Sequence, residues 1–397
     1  MSDLTAIDAP RRPPATYITQ VVRETVSAHG AQVGLLWIGV VAFCAVFAPL
    51  LASSHPLLMK MDGAWSSPWL KHLAPADVAL PLLALISVVL LRMKKQAAWI
   101  RWAWFLALSA AMIAICAVFV SAPRAVSYDR YRLDAERIEW VLHAPVQFSP
   151  SDRLRDQTGP DVPKHPWPPD AAHWMGTDAN GADILSRMIH ACRIAMAVGF
   201  IATGIALIIG IGIGGLMGYF SGVVDLIGMR IVEIFSAIPT FFLLLTFVAF
   251  FDRNLYMMMI IIGITGWVGY ARFIRAEFFK LRQQDYVQAA RACALPLRSI
   301  LFRHMLPNGV APVLVEASFG VASAILFEST LSFLGLGLVD EPSWGQMLNQ
   351  ATRGGNFYWW LASFPGLAIF MTVFAYNLVG EALRDAIDPQ SKRSAHL

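Results

Sequence analysis

Residues 194–220 read IAMAVGFIATGIALIIGIGIGGLMGYF, from Ile194 to Phe220, without one Asp, Glu, Lys or Arg. A helix needs about 20 mostly apolar residues to cross a bilayer, so this run is a membrane span. Its glycines stand at 199, 204, 210, 212, 214, 215 and 218 and include the spacing Gly210-x3-Gly214-x3-Gly218, which lets a second helix pack closely. Working outward, seven further runs have the same character: Val33–Leu51, Asp77–Leu91, Ile100–Val120, Leu226–Phe251, Leu255–Ile274, Val313–Leu336 and Tyr358–Val379. Asp77–Leu91 is short and carries Pro81, but Arg92, Lys94 and Lys95 stop it just before the next run, so the two make a tight hairpin. The expected fold is an all-α polytopic membrane protein with eight spans.

Composition agrees. Of 397 residues, 57% are hydrophobic and 15% charged, against roughly 45–50% and about 25% in soluble domains. Four cysteines exclude a disulfide-stapled scaffold, and the apolar content excludes a disordered chain. The net charge of +4 need not mean nucleic acid, because the basic residues sit where the positive-inside rule wants them. With the N-terminal flank (Arg11, Arg12, Arg23) inside, the hairpin turn is inside too. So is the loop Arg272–Asn308, whose Arg272, Arg275, Lys280, Arg282, Arg291, Arg298 and Arg303 face only Glu277 and Asp285. The C-terminal Arg384, Lys392 and Arg393 fall inside and Asp252–Asn254 outside. The polar residues 1–30 read as a cytoplasmic flank rather than a cleaved leader.

The expected organisation is therefore a tail 1–32, a first span with inserted hairpin 33–120, an outer loop 121–193, a core 194–380 with an inner loop 275–310, and a tail 381–397. The outer loop is rich in proline, so it reads as an extended surface segment. Trp140, Val141, Leu142 and Phe148 leave room for a small core against the membrane rim. His143, His165 and His173 lack metal-ligand spacing and read as surface histidines.

The inner loop carries the most information. It runs Asp285-Tyr286-Val287-Gln288-Ala289-Ala290-Arg291-Ala292-Cys293-Ala294-Leu295-Pro296 and on to Pro307. Tyr286, Ala289, Ala290, Cys293 and Leu297 recur at spacings of three and four, one face of a helix. Pro296 disfavours helix at Leu295 and suits the start of a second helix. Two short helices with a bend result. The loop alone leaves two readings open: a docking knob for a protein partner, or an amphipathic helix on anionic lipid.

The pattern Gln288-Ala289-Ala290, three residues, Ala294, nine residues, His304-Met305-Leu306-Pro307 resembles the "EAA" loop of ABC-importer permeases, matching at Ala289, Ala290, Leu306 and Pro307. Gln288 replaces the family's Glu, Ala294 its Gly and His304 its Ile. The Gly departure removes free access to positive φ, and Pro296 is expected to impose the bend instead. Further stretches resemble the dipeptide and oligopeptide branch: His173–Arg187, Gly218–Gly222 with Asp225, Arg230 and Pro239, Glu328–Gly337, Pro342–Leu348 and Gly380–Pro389. Together they cover roughly residues 173–390 and part of the first span, and are most similar to the second, or C-type, subunit.

The resemblance implies a six-helix type I ABC-importer permease core, to which Asp77–Val120 adds the hairpin. It implies a subunit that forms half of a translocation pathway for peptides in the bacterial cytoplasmic membrane, both termini inside; nickel or glycosides are alternative cargoes of the same branch. Its partners would be a second permease, two ABC ATPases, an extracytoplasmic solute-binding protein and membrane lipid. Asp285, Tyr286, Gln288, Ala289, Ala290, Cys293, Ala294, Leu306 and Pro307 would form the ATPase-coupling loop. No Gly-x4-Gly-Lys-Ser/Thr pattern occurs in the chain, so ATP and magnesium are expected in the partners, with no cofactor or enzymatic activity here. A secondary transporter would want an inverted repeat and midplane charges; no clear repeat is seen.

Charged residues inside spans are costly and often functional. Glu233, Glu316 and Glu328 are accordingly pathway candidates, with interhelical hydrogen bonding as the plainer reading of each.

Overall fold

A computed structural model describes residues 17–387, apart from 94–97, 121–127, 129–130, 132–136, 155, 157–163, 252–253, 339–340 and 354–356. The charged turn at Lys94 and Lys95 and the terminal tails beyond Tyr17 and Ile387 thus lie outside the described residues. Helices α1 (Tyr17–Ser27) and α2 (His29–Leu51) lead to strands β1 (Leu58–Met61) and β2 (Ala64–Ser66). Then come α3 (Pro68–Lys71), α4 (Pro75–Arg92), α5 (Ala98–Phe119) and β3 (Ile138–Leu142). The remainder is helical: α6 (Ile184–Phe220), α7 (Gly222–Ala237), α8 (Thr240–Phe250), α9 (Leu255–Arg282), α10 (Asp285–Ala292), α11 (Leu297–Ser299), a π-helical turn (Ile300–Met305), α12 (Leu306–Phe333), α13 (Trp344–Thr352) and α14 (Trp359–Ile387).

Among the described residues, five helices are long and apolar enough to cross a membrane: α2, α6, α9, α14 and the Pro312–Phe333 part of α12. The run Leu226–Phe251 is not one straight helix. It breaks between α7 and α8 with a bend of 79°. Ile238 before the break is extended and Pro239 caps α8, as expected where proline disfavours helix at the preceding residue. The bent pair makes a sixth span if counted as one. Of the expected eight, the described residues supply at most six by this measure, and the described apolar parts of α4 and α5, the expected hairpin, are the shorter stretches Pro75–Leu90 and Ala103–Cys116. The two do pack on each other as a pair.

Packing follows the glycines. On α6, a Cβ at Gly214 would lie 2.4 Å from the Ala271 carbonyl oxygen of α9, and one at Gly218 2.7 Å from the Arg275 carbonyl oxygen. Between helices in lipid there is little hydrophobic drive, so close backbone approach and van der Waals contact hold the pair. Helix α14 lies against α2, where Gly34 faces the Ala375 carbonyl and the Trp37 indole donates to Thr372 at 3.0 Å.

The outer segment is more ordered than the sequence suggests. β1 pairs antiparallel with both β2 and β3. Asp62 and Gly63 turn the β1–β2 hairpin at φ 50° and 79°. This sheet joins chain on both sides of the α4–α5 insert. Helix α6 starts at Ile184, within the expected segment 121–193, and the Asp183 carboxylate caps it by accepting from the Ser186 amide at 2.8 Å. His173 is not a surface residue: it is buried and its Nδ1 lies 2.9 Å from Asp183.

Candidate coupling loop and translocation cavity

α10 starts with Asp285, and its Gln288 amide nitrogen donates to the Arg282 carbonyl at 2.8 Å, holding it to the end of α9. Val287 and Ala290 are buried against Ile274 and Phe278 of α9 and Ile300 and Met305 of the π turn. Asp285, Tyr286, Gln288, Ala289 and Cys293 are exposed on the other side. The predicted face is thus split: Ala289 is free to meet a partner, whereas Ala290 anchors the loop to its own scaffold.

The bend is made at Ala294 itself, not by Pro296 alone. Ala294 has φ 49°. Its amide donates to the Arg291 carbonyl at 2.9 Å and the Leu295 amide to the Ala290 carbonyl at 3.2 Å. These two bonds and the left-handed residue define a Schellman C-cap, a place that glycine usually fills. The family glycine is therefore replaced without loss of the geometry, at the strain of a Cβ in a left-handed conformation. Pro296 then caps α11. The π turn falls just before Pro307, whose ring would press on the carbonyl four residues back in a regular helix. Leu306 and Pro307 form the first turn of α12.

The loop is tied to the elbow between α6 and α7. Arg282 donates to the Tyr219 carbonyl at 3.0 Å and to the Ser221 hydroxyl at 2.6 Å. The Arg291 guanidinium lies 6.0 Å from the centroid of the Tyr219 ring. Arg275 grips Asp225 with two nitrogens, one at 2.7 Å. Arg282 and Arg291 read in the sequence only as positive-inside charges; nothing in their spacing showed these partners.

A cavity of about 390 Å3 opens among the middle portions of α6, α9 and α12 and the α7–α8 break. Thr203, Ser236, Thr240, Thr265, Tyr270, Glu316 and Ser323 give it a polar lining. Of the three candidate carboxylates only Glu316 is in it. Glu233 is exposed on α7 and pairs with Arg230 at 2.6 Å. Glu328 is buried near the end of α12 and accepts from the Ser332 hydroxyl, one turn on in the same helix, at 2.6 Å.

On the outer side, Asp178 is fully buried, accepts from the Asn180 and Ala182 amides at 2.8 and 2.9 Å, and pairs with Arg187 of α6. Arg187 also donates to Gln346 of α13 at 2.8 Å, and the Trp360 indole of α14 donates to the Thr177 carbonyl at 3.2 Å. The Gly-Thr-Asp stretch is thus a clamp that fastens the outer loop to three helices.

One bent helix pair and three further apolar helices around a polar cavity fit a membrane transporter subunit. The chain belongs to the family described as "Binding-protein-dependent transport system inner membrane component", whose profile matches residues 210–393. It is 32% identical over 360 residues to the inner membrane ABC transporter permease protein YejE of Escherichia coli (strain K12), covering 89% of this chain and 92% of that protein. It is 39% identical over 222 residues to the oligopeptide transport system permease protein OppC of Haemophilus influenzae, covering 55% and 71%. It is 38% identical over 225 residues to the glutathione transport system permease protein GsiD of Pectobacterium atrosepticum, covering 56% and 75%. The first alignment is too long to be confined to residues 173–390 and takes in the front segment as well. The chain is a multi-pass inner-membrane permease of an ABC importer.

Proposed function

We propose that this permease imports peptides, that it forms half of the pathway with a second permease, and that α10 and its Schellman bend dock into an ABC ATPase. The observation that carries the docking is the split face of α10: Val287 and Ala290 are locked into the chain's own core while Asp285, Tyr286, Ala289 and Cys293 stand exposed beside them. A loop held to α9, to the π turn and to the α6–α7 elbow passes on a push instead of absorbing it. A lipid-lying helix would need a continuous apolar exposed face, whereas on α10 Val287 and Ala290 are turned inward and Asp285, Gln288 and Arg291 stand among the exposed residues. Peptide cargo is supported by the oligopeptide and glutathione relatives.

ATP and magnesium belong to the partner ATPases, and an extracytoplasmic binding protein delivers cargo. Both termini and α10 lie on the cytoplasmic side. The α4–α5 pair crosses the membrane, supported by apolar exposed side chains such as Leu85, Val88, Leu106, Ile115 and Val118. The secondary-transporter reading loses to the inner knob, which it leaves without a task.

The test uses the complex with its ATPases. Ala289→Glu should leave the permease folded and inserted but abolish cargo-stimulated ATP hydrolysis. Undiminished stimulation would reject the docking face, and transport by the purified chain alone in liposomes would reject the external motor.

A further inference from the structure

The cavity holds one acidic side chain and no basic one. Glu316 lines it from α12, and among the described residues no Lys, Arg or His forms an ion pair with it. Most of the hydroxyls around it are already engaged with their own helices. Thr265 donates to the Ile261 carbonyl at 2.9 Å, Ser323 to the Phe319 carbonyl at 2.9 Å and Ser236 to the Val232 carbonyl at 2.8 Å. Thr265 and Ser323 offer oxygen lone pairs to the cavity, not spare protons for a carboxylate, whereas the Ser236 oxygen already accepts from Arg272 of α9. The wall next to Glu316 is built for an aromatic neighbour. Gly320, one turn further along α12, lacks the Cβ that would fall 1.5 Å from the Tyr270 hydroxyl. The Tyr270 phenol therefore crosses α12 at that point, within electrostatic reach of Glu316.

An unpaired carboxylate at membrane depth is expensive. A chain that keeps one in a cavity lined with oxygen acceptors has placed a site for a cation that arrives from outside the chain. We propose that Glu316 is a cargo subsite which receives a primary ammonium of the passing peptide. This deepens, and rests on, the peptide-import reading above. The ammonium has two sources, the peptide N-terminus or a lysine side chain. Lysine-free and lysine-containing tripeptides tell them apart.

The experiment uses the complete transporter with its binding protein in proteoliposomes, comparing wild type with Glu316→Gln and Glu316→Asp. It measures peptide uptake per ATP hydrolysed. Losing one charge-assisted hydrogen bond predicts about a tenfold fall in that ratio for Glu316→Gln, with cargo-stimulated ATP hydrolysis retained and partial recovery in Glu316→Asp. An equal fall for both tripeptides assigns the N-terminal ammonium, and a fall confined to the lysine peptide assigns the side chain. A wild-type ratio in Glu316→Gln overturns the proposal. So does failure of Glu316→Gln to assemble with the second permease, which would make Glu316 an intersubunit ion pair. Absence of peptide uptake by wild type overturns the peptide reading itself, and this subsite with it.

Discussion

Asp77, in the first turn of α4, is ion-paired with Arg193 of α6, and the same arginine donates through Nε to the Ala45 carbonyl of α2 at 2.7 Å. Both side chains are mostly buried. One guanidinium thus pins the inserted pair to the two helices that flank it in the core.

That pin predicts a selective weakness. Asp77→Asn should destabilise the α4–α5 pair by about 2 kcal/mol, because it leaves a mostly buried arginine without its charge partner. Hydrogen exchange should rise in α4 and α5 before it rises in α9 or α12. A combined Asp77→Asn and Arg193→Gln variant should cost less than the sum of the single changes, and strict additivity would argue against the pair.

The strained cap predicts a gain. Ala294→Gly should stabilise the α10 bend by about 0.5–1 kcal/mol by removing a Cβ from the left-handed region. Slower amide exchange at Leu295 is the readout. Ala294→Val should act in the opposite direction.

Two glycines two residues apart should respond with opposite signs. Gly214→Ala forces a Cβ to within 2.4 Å of the Ala271 carbonyl and should cost about 1–3 kcal/mol through helix separation. Gly212 has nothing within 4 Å of the added atom, so Gly212→Ala should be neutral or stabilise by about 0.5–1 kcal/mol. Thermal denaturation in detergent compares the two.

The outer module should be acid-sensitive through His55. Its ring stacks on His72 with centroids 3.7 Å apart, and among the described residues neither ring nitrogen has a hydrogen-bond partner. Burial, reinforced by His72 and opposed by Asp152, pushes its pKa from 6.5 down to about 4. Between those values the unfolded segment takes up a proton that the folded one refuses, so stability falls with falling pH. The contribution is full above pH 6.5, declines towards pH 4 and levels off below it. Exchange rates across Ser53–Leu58 should show this slope, and His55→Phe should flatten it.

The long spans were legible because nothing else in a chain needs twenty uncharged residues in a row. The break at Ile238–Pro239 is not legible in hydropathy, which counts residues without regard to direction, although the proline marks its place. The β1–β2 turn carries the strongest short hairpin signal, Asp-Gly with positive φ at both positions, which apolar content does not register. The helix–bend–helix form of the inner loop was readable from Pro296 and the spacing. Which of two adjacent alanines faces outward was not, since Ala289 and Ala290 differ only by the side of α10 that α9 covers. Of Glu233, Glu316 and Glu328, sequence could not choose one for the cavity, because the choice depends on three helices that meet only after folding.

Helix α6 has 37 residues, which makes it a rod of about 55 Å. Its glycine seam seats it backbone to backbone on α9, leaving no soft layer between them. The outer clamp at Asp178 and Arg187 grips one end, and the arginines of the coupling loop grip the other. Under the proposed docking of α10, work done by a nucleotide-driven closure at that end would arrive at the opposite end of α6 as a tilt, with the membrane thickness serving as the arm of the lever.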